Sequence, residues 1–163
     1  MMKTKKRYKA KKGAFKLTDS KAQRYGDRIE KISKRGRISP DSIIDDAIDE
    51  SSPLHDWFEW DDTVAGHAYR KGQARNLLSN IITVEILPSG KEEEIKAWHV
   101  PEGIFKSPQG EAEYIDWDTV KEDGEMMAFM ERRGLKELKI WERNYRQYGK
   151  LKRIAKKIRD YLE

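Results

Sequence analysis

The side chains best suited to chemistry in this chain are two histidines and three carboxylates within a span of thirteen residues: His55, Glu59, Asp61, Asp62 and His67. Groups this close can ligate a divalent cation or act as an acid–base pair. Alternatively, the carboxylates cap the following helix and His55 hydrogen-bonds locally. Because the chain has three His, no Cys, no HExxH pair and no phosphate-cradling glycine loop, we favour capping. We expect no enzymatic activity, no metal and no cofactor.

A run of lysines and arginines at the N-terminus is a second group of functional side chains. Residues 1–14 hold seven of them, one aromatic residue and no apolar periodicity, which predicts a disordered basic arm over residues 1–16. Dispersed cations neutralise phosphates. The alternatives are a solubilising tail and an arm that folds over the protein's own acidic residues. The predicted phosphate-binding residues of the arm are Lys3, Lys5, Lys6, Arg7, Lys9, Lys11 and Lys12.

Two further cationic groups extend this prediction. A predicted third helix carries side-chain types that read base edges in a major groove, namely Arg70, Gln73, Arg75 and Asn76. Its predicted cationic contacts to DNA are Arg70, Lys71 and Arg75. The alternative is an ordinary solvated face, because this helix is expected to begin with the acids Asp61 and Asp62. The C-terminal segment adds cations that either hold phosphates or flank a dimer interface, namely Lys152, Arg153, Lys156 and Lys157.

The first two helices are predicted from capping signals and hydrophobic spacing. Thr18-Asp19-Ser20 mark the start of a helix that is predicted over about residues 19–34. Arg35-Gly36 end it. Ser39 is the predicted N-cap of the second helix, with Pro40 at its first position and a hydrophobic staple around the cap. The buried stripe of this helix is predicted to be Ile43, Ile44, Ala47 and Ile48.

An aromatic and acidic corner, residues 52–60, separates the second helix from the third. Its rings, Trp57, Phe58 and Trp60, are typical of a core that fixes the angle between two helices. The third helix is predicted from the N-cap Asp61 to about Ser79. Its predicted apolar face is Val64, Ala65, Ala68, Tyr69, Leu77 and Leu78. Residues 17–80 thus resemble a helix-turn-helix core, although residues 38–69 hold nine acids and no Lys or Arg.

The apolar period changes after the third helix. Residues 82–87 and 95–100 predict a β-hairpin around a turn at 88–91, and residues 113–120 predict a third strand. This gives a short antiparallel hairpin or meander over 81–123, in which the acidic run 92–94 disfavours a DNA-contacting wing. Residues 124–163 predict C-terminal helices broken at Gly149. The predicted fold class is α+β, one compact domain with an arm.

The charge of the chain is strongly segregated. Residues 1–37 hold fifteen basic and three acidic residues, and residues 124–163 hold twelve and six, on either side of an acidic middle. A sequence pI near 9.2 favours a polyanionic partner. The absence of cysteine suits a reducing compartment, and no apolar run reaches the length of a transmembrane helix. We therefore expect a soluble intracellular protein with no membrane contact.

The corner also carries a resemblance to a known group of proteins. Ser52-Pro-Leu-His-Asp-Trp-Phe-Glu-Trp-Asp-Asp62, with residues 38–44 before it and 68–75 after it, resembles small proteins encoded by tailed phages and prophages. In these a P-L-H-x-x-F-x-W-D-D corner lies between two helices. The resemblance implies a helix-turn-helix-like core and a location in the cytoplasm of a bacterial host or in the virion. It implies no catalytic residues, because the family has no settled activity.

These patterns lead to two alternative functions. The first is non-catalytic DNA binding with low sequence specificity, because most of the positive charge is expected on a flexible arm and a solvated helix. A homodimer or higher oligomer through the C-terminal helices is compatible with it. The second is a viral protein-interaction module, either a virion or assembly component or an inhibitor of a host protein, acting through the acidic middle.

Overall fold

The computed structural model describes residues 5–63, 66–101 and 111–163. They belong to two compact units, residues 1–120 and residues 121–163, which we call the N-terminal unit and the C-terminal hairpin. The described residues form six α-helices and two three-stranded antiparallel sheets, which confirms the α+β class.

Four α-helices and one 3-10 turn lie in the N-terminal unit or at its end. They are α1 (Asp19–Ile32), α2 (Pro40–Ala47), the 3-10 turn (His55–Trp57), α3 (His67–Asn80) and α4 (Trp117–Glu122). The predicted cap of α2 is confirmed, because the Ser39 hydroxyl accepts a hydrogen bond from the Ser42 N–H and Pro40 occupies the first position.

Six short strands pair into two separate sheets. The first sheet has the order β1 (Tyr8–Ala10), β3 (Ile81–Ile86), β4 (Glu92–Lys96). The second has the order β2 (Arg37–Ile38), β6 (Tyr114–Asp116), β5 (Trp98–His99). The predicted β-hairpin is confirmed as β3 and β4, but its second strand covers residues 92–96 and was predicted at 95–100. Gly90 takes a positive φ of 79° in the turn between the two strands.

The core of the N-terminal unit lies between its three longer helices and the first sheet. The three helices, β1 and β3, and β5 of the second sheet contribute buried apolar side chains, whereas β4 contributes none. Those that are at most 3% exposed include Tyr8, Tyr25, Ile29, Ile43, Ile44, Leu54, Leu77, Leu78, Ile81 and Trp98. This burial, rather than helix propensity, holds the short α2 in place.

Four expectations about these elements are wrong in part. Helix α1 ends at Ile32, because Lys34 and Arg37 exchange backbone hydrogen bonds across a turn at Arg35-Gly36, where both residues have positive φ. Ile48 is 62% exposed, since α2 ends one residue earlier. Residues 117–120 belong to α4 instead of a third strand, because the Asp116 carboxylate accepts the Thr119 N–H and caps a helical turn.

The start of α3 is the fourth correction. The helix begins at His67 with Gly66 as N-cap, while the Asp61 carboxylate accepts the Thr63 N–H in a local turn. Tyr69 is 57% exposed, whereas Leu77 and Leu78 are fully buried as expected. Residues 64 and 65 lie outside the described part. The connection between α2 and α3 spans residues 48–66, much longer than the three- or four-residue turn of a DNA-reading helix-turn-helix.

The C-terminal hairpin consists of α5 (Gly124–Tyr145) and α6 (Lys152–Leu162), which confirms the predicted break around Gly149. The Asp123 carboxylate caps α5 by accepting the N–H groups of Glu125 and Met126. The two helices are joined by an ion pair between Arg159 and Glu142. No helix in the described ranges has both the length and the hydropathy that a bilayer crossing requires.

Candidate nucleic-acid interface

The N-terminal arm is folded onto the N-terminal unit. Tyr8 lies opposite Thr83 in the first sheet, is 3% exposed, and stacks on the Trp98 ring at a centroid distance of 5.5 Å. Its backbone N–H donates to the Gln23 side-chain oxygen. A disordered arm is therefore wrong for residues 8–10, because one buried aromatic ring and a strand edge outweigh the basic composition.

The cations around this strand face carboxylates of the same unit. Lys6 Nζ lies 2.9 Å from the Asp118 carboxylate and 3.5 Å from that of Glu30, and its side chain is only 20% exposed. Burial by itself would lower the pKa of Lys6, but the hydrogen bond to Asp118 and the surrounding carboxylates raise it above its ordinary value. Lys5 pairs with Asp27 at 3.1 Å.

Two more arm cations reach the acidic run of β4. Arg7 pairs with Glu92 and Lys9 with Glu94, each at 2.5 Å. The hydrogen bond from Arg7 lowers the pKa of Glu92. The acidic run 92–94 thus binds the arm. This arrangement matches the alternative in which the arm folds over the protein's own acidic residues.

Three predicted arm residues remain outside these pairs. Lys3 lies outside the described residues. Lys11 and Lys12 are exposed, and neither has a carboxylate partner among the residues that the structure places. They are the arm residues still available to a polyanion.

The cations of α3 are also paired. Arg70 lies 5.2 Å from the Trp60 ring, bonds the Asp62 carboxylate, and donates from Nε to the Glu59 carbonyl. Lys71 pairs with Glu111 at 2.8 Å, and Arg75 lies 3.4 Å from the same carboxylate. Reading of base edges by this helix would require these pairs to break.

The five candidate metal or acid–base residues do not converge. His55 Nδ1 lies 2.8 Å from the Ala47 carbonyl, and its ring stacks on Trp60. His67 Nε2 lies 3.0 Å from the Asp41 carboxylate instead. Over the described ranges, no group of three or more His, Asp or Glu side chains is placed to hold a metal ion.

The aromatic corner belongs to the core, as the sequence predicts. Phe58 is 7% exposed, and Trp57 and Trp60 pack against the core cluster. Trp57 donates its indole N–H to the Gln73 carbonyl at 2.9 Å and meets the Tyr25 ring edge to face. The corner therefore fixes α3 against α1, with Phe58 buried and Trp57 and Trp60 half-buried.

In the C-terminal hairpin, unlike the N-terminal unit, most of the predicted phosphate-binding cations are unpaired over the described ranges. Lys152, Arg153, Lys156 and Lys157 are all exposed on α6, and none has a carboxylate partner in the part of the chain that the structure describes. Residues 132–159 hold twelve basic and two acidic residues. Both acids have cationic partners, because Glu137 pairs with Arg133 and Glu142 with Arg159.

Sequence reasoning missed several members of this surface. The exposed cations that it omitted include Arg132, Lys136, Lys139, Arg143, Arg146 and Lys150. Leu138, Trp141, Tyr145 and Tyr148 are spaced at threes and fours in the sequence, as in a helical apolar face, yet Tyr145 and Tyr148 are 41% and 56% exposed. The charge count of residues 132–159 was the available signal.

Comparison with known proteins adds no relative. No family model matches the chain, and it matches neither a curated protein nor a solved structure. The resemblance to phage-encoded proteins stays a prediction.

Proposed function

We propose that the protein binds DNA without catalysing a reaction, and that the C-terminal hairpin makes the principal contact. One observation carries this proposal: four cations of α6, Lys152, Arg153, Lys156 and Lys157, are exposed and have no carboxylate partner among the described residues, whereas most predicted cations of the N-terminal unit are neutralised internally. Only cations that are free to face phosphates release counterions on binding.

The spacing of these cations suits a phosphate backbone. Positions 152, 153, 156 and 157 recur at intervals of three and four, which places them along one side of α6. Contacts of this kind fix position on a duplex and carry no sequence information. Low sequence preference is therefore part of the proposal.

The alternative, a protein-interaction module acting through the acidic middle, has less support. Four acids of that region, Asp41, Asp46, Asp56 and Asp62, have cationic partners within the N-terminal unit. A basic partner would have to displace these pairs. The corner resembles that of phage-encoded proteins. A phage origin would place DNA binding in a bacterial cytoplasm or in a virion.

The test is fluorescence anisotropy of a labelled random-sequence duplex with the full chain and two charge-matched variants. One variant changes Lys152, Arg153, Lys156 and Lys157 to Gln. The control changes four exposed lysines of the N-terminal unit to Gln, namely Lys11, Lys12, Lys21 and Lys31. Both lose four positive charges, so a difference between them reports the position of the contact.

We expect the hairpin variant to lose affinity by about 100-fold or more, with a log–log salt slope reduced by about 3 to 4. The control is expected to lose less than about 5-fold through the general field. Equal losses in the two variants would contradict the hairpin contact. If the unmodified chain did not bind the duplex at low salt, the proposal of DNA binding would be wrong.

A further inference from the structure

A row of three aromatic rings runs along the end of the C-terminal hairpin where α5 turns toward α6. The ring centroids of Trp141 and Tyr145 are 5.2 Å apart, and those of Tyr145 and Tyr148 are 6.1 Å apart. Trp141 is half-buried, while the two tyrosines are 41% and 56% exposed. Rings that serve only as a hairpin core would be covered by the opposite helix.

Exposed cations flank this row in the sequence. Arg143 and Arg146 lie between the rings in sequence, and Lys150, Lys152 and Arg153 follow the last ring. None of these five pairs with a carboxylate within the described ranges. The neighbouring acid, Glu142, is only 12% exposed at its side chain and is held by Arg159. The tyrosines therefore lie in a positive environment.

Rings interleaved with free cations suit one class of polyanion better than others. In a duplex the base faces are stacked on each other and closed to a side chain, so only the phosphates are available. An unpaired strand offers both a phosphate and an open base face at each nucleotide, and aromatic side chains bind those faces with little sequence preference. An array of cations without rings would serve a duplex equally well.

We propose that this end of the hairpin binds single-stranded nucleic acid, with bases stacked on Tyr145 and Tyr148 and the adjoining phosphates held by Arg146, Lys150 and Arg153. The proposal rests on the proposed function and narrows its ligand. A second copy of the chain is a poorer occupant, because residues 132–159 have a net charge of +10 from twelve basic and two acidic residues, and two such surfaces repel.

The experiment compares a labelled 20-nucleotide oligothymidylate with a duplex of the same length, using the full chain in each case. Tyr145→Leu with Tyr148→Leu removes the rings and leaves the charge unchanged. Tyr145→Phe with Tyr148→Phe keeps the rings and removes the hydroxyl groups. The matched control is Tyr161→Leu, which removes a 75% exposed tyrosine of α6 that has no aromatic neighbour among the described residues.

We expect the Leu pair to lose about 30-fold or more in affinity for the single strand and less than about 3-fold for the duplex. The Phe pair and Tyr161→Leu should retain native affinity for both. Circular dichroism checks the helices. If the Leu pair unfolds the hairpin, Tyr148→Leu alone replaces it, with an expected loss of about 5-fold on the single strand.

Three outcomes would overturn the inference. The first is an equal loss on both ligands, and the second is no loss on the single strand. The third is a change from dimer to monomer in light scattering without any selective loss of affinity, which would make the row a contact between copies of the chain. In each of these cases the proposal of DNA binding would still stand if changing Lys152, Arg153, Lys156 and Lys157 to Gln lowered the affinity for the duplex. Absence of binding to either ligand would remove both proposals.

Discussion

The two units of this protein hold similar side chains in different electrostatic states. In the N-terminal unit, Lys6 and Lys71 each lie against two or more carboxylates and are about 20% exposed. In the C-terminal hairpin, Lys152 and Lys156 are exposed, with no carboxylate partner among the described residues. Both units are rich in lysine and arginine, but over the described ranges only the hairpin leaves most of them without a carboxylate partner.

The difference follows from where the acids lie in the fold. The acidic run of β4 is one strand removed from β1 in the first sheet, so residues more than eighty positions apart become neighbours. The segment 132–159 holds only two acids, and both are already paired within the hairpin. A basic segment identifies a nucleic-acid surface only when the fold brings no acids to it.

The largest effect should come from removing the ring that anchors the arm. We expect Tyr8→Ala to lower the free energy of unfolding by about 3–5 kcal/mol, because its ring is buried against Trp98. Phe15→Ala is the control, since Phe15 is 80% exposed in the same arm and its removal should cost under about 0.5 kcal/mol. Urea denaturation measures the free energy of unfolding of both variants. Small and equal effects would mean that Tyr8 does not anchor the arm and would favour the predicted disordered arm.

The second prediction places a methyl group under the same ring. A Cβ at Gly26 would lie 2.4 Å from Tyr8 Cδ2, so Gly26→Ala should push β1 outward and cost about 1–3 kcal/mol. Gly72→Ala is the matched substitution in α3, where no heavy atom lies within 4 Å of the added Cβ. It should stabilise the protein by about 0.5–1 kcal/mol through helix propensity. Thermal melts with the same sign for both variants would contradict the close packing of Tyr8.

What the sequence predicts correctly is controlled by nearby residues. Ser39 and Pro40 define the start of α2, and the alternation of Ile82 and Val84 defines β3, because these signals act over a few positions. Exposure of the α6 cations also follows from local amphipathic spacing. These features needed no knowledge of distant segments.

What the sequence misses depends on distant partners. Strand β1 forms only because β3, far along the chain, offers it an edge, and Tyr8 is buried only because Trp98 lies beneath it. The pairing of Lys71 with Glu111 requires residues forty positions apart to meet. Local composition therefore identified the cations correctly and could not show which were neutralised.

The third prediction compares a half-buried, paired cation with an exposed one, unpaired among the described residues, in the same arm. Lys6→Met removes the cation that faces Asp118 and Glu30 and should cost about 1–2 kcal/mol of stability. Lys12→Met makes the same chemical change at an exposed lysine and should leave stability unchanged. Urea denaturation checks both. An equal cost for the two variants would remove the distinction between neutralised and free cations.

The smallest effect should be a pH dependence within the acidic middle. Burial alone would raise the pKa of Asp46, but hydrogen bonds from Arg28 and Ser52 lower it below its ordinary value. A carboxylate with a lowered folded-state pKa adds stability above its unfolded-state pKa, near 3.8, and that stability is lost as the pH falls through the folded-state pKa. We expect Asp46→Asn to cost about 1 kcal/mol at pH 7 and almost nothing near pH 2.

Asp45→Asn tests whether this dependence belongs to pairing or only to negative charge. Asp45 is the preceding residue of α2, is exposed, and has no cationic partner in the described part of the chain, so its loss should be equally small at both pH values. Unfolding by urea at pH 7 and by guanidinium at low pH measures the two variants. A pH dependence shared by both variants would mean that the acids of the N-terminal unit stabilise it through their overall negative charge. The two units would then differ in net charge and not in the pairing of their charged side chains.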